Sequence, residues 1–188
     1  IGEIIFEEKI KNESSIVKRP LFEEGLEIVI PMNKMITILH KVIGLNFKSM
    51  SEIVTGRNPF GVPATDAELN KISAEESSEY YDTHILCAYE QVKYIPNSCI
   101  RRNRELLNKW KVFTSKMNGG AGTLLDGKKV SILGKTFIAE PNMSCSNTLL
   151  AVGGFENEIE AVNLNKYMNC KFFRFMLGIK KIAQVLTS

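Results

Sequence analysis

Apolar and polar positions alternate in short runs along this chain, and most runs end at Gly, Pro or Asn. Ile4-Ile5-Phe6 and Ser15-Ile16-Val17 flank the polar cluster Lys11-Asn12-Glu13-Ser14, a pattern that predicts a hairpin. Leu26-Glu27-Ile28-Val29-Ile30 predicts a short strand stopped by Pro31. Met35, Ile36, Leu39, Val42 and Ile43 keep helical spacing behind Asn33, a good N-cap, with Gly44 as the stop. Met50 to Thr55 fits either a strand or a brief helix. Gly56-Arg57-Asn58-Pro59-Phe60-Gly61-Val62-Pro63 reads as a loop. The polar, acidic stretch 64–79 predicts weak order.

The second half is richer in strands. Thr83-His84-Ile85-Leu86-Cys87-Ala88-Tyr89 predicts a central strand and Val92-Lys93-Tyr94-Ile95 another, ended by Pro96. Asn97 or Ser98 caps a predicted helix reaching about Asn108. Trp110 to Thr114 predicts a strand, Asn118-Gly119-Gly120-Ala121-Gly122 a Gly-rich loop, and Val130–Leu133 with Phe137–Ala139 a hairpin around Gly134-Lys135. Thr148 to Val152 predicts a buried strand. Asn157 to Tyr167 predicts a helix with three glutamates at its favourable end, and a final helix runs from about Asn169 to Val185. Strands and helices interleave without strict βαβ alternation, so the fold class is mixed α/β (α+β), a twisted mixed sheet with flanking helices.

The length of 188 residues fits one domain over 1–188, with an N-terminal hairpin and helix (1–49), a core (50–168) and a closing helix (169–188). The net charge of +3 is mild, but its distribution is not. Residues 66–92 carry seven acids against one lysine, whereas 93–135 carry ten Lys or Arg against two acids, and 166–188 add five bases and no acid. A basic surface of that kind suits a polyanion, and solvated helix faces are the plain alternative. Cys87, Cys99, Cys145 and Cys170 have neither zinc nor redox spacing, so reduced thiols in the cytoplasm are the expectation. No apolar run approaches the length of a membrane span. The chain opens at Ile1 inside a strand-like alternation, as an excised domain with its catalytic partner elsewhere would.

Few motifs carry chemistry. His40 and His84 sit in apolar settings and read as packed or surface residues. Asn58-Pro59-Phe60 is close to the Asp/Asn-Pro-Pro-aromatic loop with which amino-methylating enzymes grip a flipped base, but the second proline is missing. Ala151-Val152-Gly153-Gly154-Phe155 imitates a nucleotide-binding turn, yet Glu156, Glu158 and Glu160 would repel a phosphate there, so a structural turn is expected. Arg101, Arg102 and Arg104 fall in the first turns of the predicted helix, against its dipole, which points to an anion or to solvated side chains. Trp110 reads as core. Lys116 and Asn118, at the Gly-rich loop, are contact candidates because glycine lets a backbone approach a ligand closely.

Lys109-Trp110-Lys111-Val112, Ser144-Cys145-Ser146-Asn147-Thr148, Glu160-Ala161-Val162-Asn163-Leu164 and Lys171-Phe172-Phe173-Arg174-Phe175 follow one another in an order that resembles the target recognition domain of adenine-specific (N6) DNA methyltransferases. These belong to bacterial restriction–modification systems, TaqI-like, type II and type III, with similarity to type I specificity subunits. The resemblance is strongest over 108–187. It departs at Ser146-Asn147-Thr148, where the family often has Thr-Glu-Thr/Tyr, which leaves the base preference open. The resemblance implies a target-recognition-domain-like fold that reads double-stranded DNA and performs no chemistry itself. A methyltransferase catalytic domain, in cis or as a subunit, would supply S-adenosylmethionine; no cofactor is expected in this chain. It implies contacts from Arg57, Asn58 and Phe60 in the first loop, register-setting phosphate contacts from Arg101, Arg102, Lys116 and Lys171, and base reading by the loops at 56–61 and 116–123. Arg174 would touch the phosphate backbone. An assembly module resembling a specificity subunit, docking through Phe172, Phe173 and Phe175, is the alternative. A third reading, a stand-alone methyltransferase, requires that this chain itself bind S-adenosylmethionine.

Overall fold

The computed structural model describes residues 3–10, 13–23, 29–30, 33–42, 49–63, 65–87, 91–118, 124–125 and 128–180. They fall into two compact units, Ile1–Lys48 and Ser49–Ser188. In the first unit β1 (Glu3–Ile10) and β2 (Glu13–Pro20) form the expected hairpin, Ile10 opposite Glu13 and Glu3 opposite Pro20. α1 spans Asn33–His40. Arg19 is buried and donates to Asn33 Oδ1 at 3.0 Å, to Glu23 Oε1 at 3.2 Å and to the Ile30 carbonyl, so its charge is met by a carboxylate and its remaining donors by oxygen. Most of the strand expected at 26–30, and the stop at Gly44, lie outside the described residues; Val29 and Ile30 have no regular structure.

The second unit is built on two three-stranded sheets. β3 (Thr83–Leu86) lies between β4 (Val92–Ile95), antiparallel, and β9 (Met143–Cys145), parallel. β5 (Trp110–Ser115) lies between β8 (Thr136–Ala139) and β10 (Leu149–Phe155), both antiparallel. Helices α4 (Glu158–Asn169) and α5 (Lys171–Lys180) follow. This is a mixed α/β protein. Side chains alternate across β5, so Phe113 joins a core with Phe60, Ile85, Ile95 and Ile100, while Val112 joins another with Val152, Ala161, Leu164 and Met168. Each such side chain contributes about 1.5–3 kcal/mol on leaving water. Trp110, Phe173 and Leu177 pack against the second core, as expected of Trp110.

Three local expectations are corrected. The acidic stretch 64–79 contains α2 (Asp66–Ile72), capped by Thr65, whose hydroxyl accepts from the Glu68 amide and donates to its carboxylate. The helix expected from Asn97 shrinks to a 3-10 turn, Asn97–Cys99, and the four-residue α3, Arg104–Leu107. It breaks because Asn103 takes a left-handed conformation (φ 45°) and because the amides of Arg101 and Arg102 donate to the Phe60 carbonyl. The hairpin at 130–139 does not form. Leu133 turns inward and is buried, β8 pairs with β5 instead, and Leu124–Leu125 (β6) pairs with Lys128–Lys129 (β7). Met50–Thr55 combines both readings: a 3-10 turn, then a bridge from Val54 to Val152.

The turn after β10 is structural, as its acids suggested. The strand shifts register between Val152 and Phe155, and Gly153 at φ +78° leaves room for the Phe155 ring to fold back over it. Asn157 then caps α4 by accepting from the Glu160 amide. Expected strand, turn and helix all stand there. α5 ends at Lys180 among the described residues, and the expected continuation to Val185 lies outside them.

Candidate nucleic-acid interface

The antiparallel sheet has two chemically different ends. Strand register puts Trp110, Phe155 and Ala139 near one end and Ser115, Leu149 and Thr136 near the other. α4 runs back along the sheet, because Asn165 and Asn169 near its C-terminus bond to Thr136. The Trp110 end therefore gathers Lys109, Glu140, Glu156, Glu158 and Glu160, with Lys109 and Glu156 in an ion pair. The Ser115 end gathers Lys116, Lys135, Lys166, Lys171 and Arg174. The segments that build it, 114–118, 134–139, 144–155 and 161–180, contain no Asp or Glu.

Local chemistry explains each placement. Cations at the last turn of α4 meet the negative end of its dipole, worth about 0.3–1 kcal/mol each. Lys116 continues β5, and its amide donates to the Thr148 carbonyl at 3.0 Å. Asn118 closes the turn by donating to the Ser115 carbonyl at 3.0 Å, and Gly134 leaves the space its side chain occupies. The Lys135 ammonium lies 5.2 Å from the centre of the Phe137 ring. The segment Ser146-Asn147-Thr148 forms the β9–β10 connection at this same end, with Ser146 and Thr148 hydroxyls 2.8 Å apart. Tyr167 and Phe172 are exposed beside the α4–α5 junction.

The expected contact residues separate into two groups. Lys116, Asn118 and Lys171 share the basic end just described. Arg57, Arg101 and Arg102 are exposed on the other group of segments, where the loop at 56–63 meets the chain before α3. Gly61, at φ +66°, lets the Arg101 and Arg102 side chains approach to within about a carbon's width of the loop. Two of the expected contacts are corrected. Phe60 is completely buried, edge-on to Phe113 with ring centres 6.3 Å apart at 81°, so its ring cannot stack on a base. Asn58 takes a left-handed conformation (φ 53°) and donates to the Val62 carbonyl at 2.8 Å, so its amide closes the loop. Arg101 and Arg102 lie in irregular chain ahead of α3, so the dipole argument for them falls. Arg104, in contrast, is committed to the Ile100 carbonyl and Asn97 Oδ1.

The pattern of residues gave no hint of Lys111. It is wholly buried, and its ammonium donates to the carbonyls of Lys109 at 2.8 Å, Glu140 at 3.0 Å and Leu107 at 3.3 Å. Burial lowers its pKa from 10.5 to about 8, partly opposed by the nearby Cys145. Burial in turn pushes the Cys145 thiol well up. With no exposed surface, this lysine ties α3 to the ends of β5 and β8; it is a structural cation. His84 is half-buried and edge-on to Tyr94, with ring centres 4.9 Å apart. Among the described residues, no three His, Cys, Asp or Glu side chains converge as a metal site, and no helix is long and apolar enough to cross a membrane.

No protein-family model, no curated protein and no solved structure matches this chain.

Proposed function

We propose that the unit Ser49–Ser188 binds duplex DNA through the Ser115 end of its antiparallel sheet and reads sequence for an adenine-methylating partner. The observation that carries this is the separation of charge along one sheet. Lys116, Lys135, Lys166, Lys171 and Arg174 stand on segments without a single carboxylate, while Glu140, Glu156, Glu158 and Glu160 lie at the opposite end. A duplex presents one negative charge per roughly 1.7 Å of axis, and lysines and arginines that neutralise its phosphates release its counterions. Lys116, Lys135, Lys166 and Lys171 would hold phosphates. Base reading would fall to the loop at 116–123. Catalysis and S-adenosylmethionine would belong to the partner, acting in the cytoplasm.

The test is the salt dependence of duplex binding by the purified chain, read by fluorescence anisotropy. Each phosphate neutralised should steepen the fall of log affinity with log salt by about 0.9. Four contacts predict a slope of about −3 to −4. Absence of binding at low salt, or affinity independent of salt, overturns the reading. The exposed pair Tyr167 and Phe172 favours a second reading, an assembly surface for other subunits. Concentration-dependent self-association or subunit capture without DNA affinity would select it.

A further inference from the structure

We propose that Arg174 is a pre-positioned phosphate clamp, held in aim by a chain of amide and hydroxyl groups that crosses the sheet–helix interface. The proposal rests on the duplex-binding reading of the Ser115 end and names a group within it. Arg174 Nη2 donates to Asn169 Oδ1 at 2.9 Å. Asn169 Nδ2 donates to Thr136 Oγ1 at 2.7 Å and to the Asn165 carbonyl at 2.9 Å. Thr136 Oγ1 donates in turn to Asn165 Oδ1 at 2.5 Å. Every bond in the series has a fixed direction, so the Asn169 amide cannot flip without losing its partners. The series therefore sets the guanidinium against the α4–α5 junction.

The guanidinium is under-used in that position. It carries five donors, yet Nε is covered by protein and meets no acceptor. A ligand would meet the fork at its Nη end, whose bond to Asn169 lies at the surface. Among the described residues no carboxylate pairs with it, and its side-chain partner there is a neutral amide, which orients the fork and leaves the charge in place. A phosphodiester fits this need, since a guanidinium fork matches two phosphate oxygens and phosphate contacts fix register without reading sequence. Exposed Lys171, one turn earlier on α5, would add a second charge to the same strand of DNA.

Three variants of the full chain test this on two duplexes of unrelated sequence. Arg174→Gln should weaken binding to both duplexes by the same factor and make the salt slope shallower by about 1. Arg174→Lys should keep the slope but lose affinity, because a point charge lacks the fork. Asn169→Ala should also keep the slope and lose affinity, because it frees the guanidinium without removing it. Wild-type affinity and slope in Arg174→Gln overturn the clamp, as does wild-type affinity in either of the other two. Should Arg174→Gln fail to fold, the remaining two still decide. A loss confined to one duplex overturns the assignment to the sugar–phosphate backbone. Wild-type chain that does not bind DNA at all overturns the clamp together with the reading beneath it, whereas salt-dependent binding that ignores all three variants overturns the clamp alone.

Discussion

Lys111 and Lys116 sit at opposite ends of one strand, and their fates differ completely. At the Trp110 end, three carbonyls converge on Lys111 and protein covers it, so its charge serves the fold. At the Ser115 end, Lys116 stays partly exposed, in a neighbourhood built from segments without acids. Both are lysines in one basic stretch of sequence, Lys111 within β5 and Lys116 in the bend just beyond it. What separates them is the supply of oxygen at each end. The chain turns before β5 and after β8 aim three carbonyls at Lys111, while the other end closes its turn with Asn118. A positive sequence segment can therefore hold a buried and a partly exposed cation five residues apart.

The largest effect expected concerns the loop at 56–63. If that loop is part of the fold, Phe60→Ala should destabilise the protein by about 3–5 kcal/mol, measured as a shift of the urea midpoint. A loss under about 1 kcal/mol would show that the ring leaves the core readily, and would return the loop to the ligand-facing side of the comparison.

Lys111→Met comes next. It strands three carbonyls that an ammonium now meets, and should cost on the order of 1–3 kcal/mol near neutral pH. The pH profile sharpens the test. Lys111 loses its proton near 8 in the fold and near 10.5 in the unfolded chain. Between those values the unfolded chain binds more protons, so this residue makes stability rise with pH. Cys145, kept protonated by burial, pulls the other way once the unfolded thiol ionises near 9.0. The clean window is pH 8 to 9, where wild type should gain on Lys111→Met. A constant difference between the two would refute the lowered pKa.

Much of this division was legible in the sequence, and the failures have physical causes. Strands β3, β4, β5 and β10 and helix α4 carry periodicity and stop signals strong enough to read directly. α2 was missed although Thr65 and Glu68 spell a capping box, because acidic composition outweighed it. The helix at Asn97 was over-extended because its end depends on Phe60, a residue far away in sequence whose carbonyl captures two amides. Phe60 left the exposed set by packing on Phe113, another distant residue, and Asn58 by a bond to Val62 within its own loop. The acid-free end was invisible as a site, since its four segments become neighbours only through strand register and the return of α4. Lys111 could not be foreseen, because nothing local shows that three carbonyls will meet it.

A smaller effect belongs to the acid end. Asn157→Ala should cost about 1 kcal/mol by uncapping α4, without changing DNA affinity, because the capped end carries Glu158 and Glu160 rather than ligand-facing cations. Loss of DNA affinity in a folded Asn157→Ala protein would mean that both ends of the sheet serve binding.

The smallest expected change in stability is the most telling. Among the described residues, neither Lys116 nor Lys171 has an ion pair to lose. The double variant Lys116→Gln/Lys171→Gln should stay within about 0.5 kcal/mol of wild type. The same variant should make the salt slope for duplex binding shallower by about 2, one unit for each lysine. A structural cation and a ligand-facing one thus give opposite signatures: Lys111 changes folding and leaves the slope alone, and this pair does the reverse. If the double variant instead lost several kcal/mol of stability with an unchanged slope, the Ser115 end would be one more place where lysines hold the fold together.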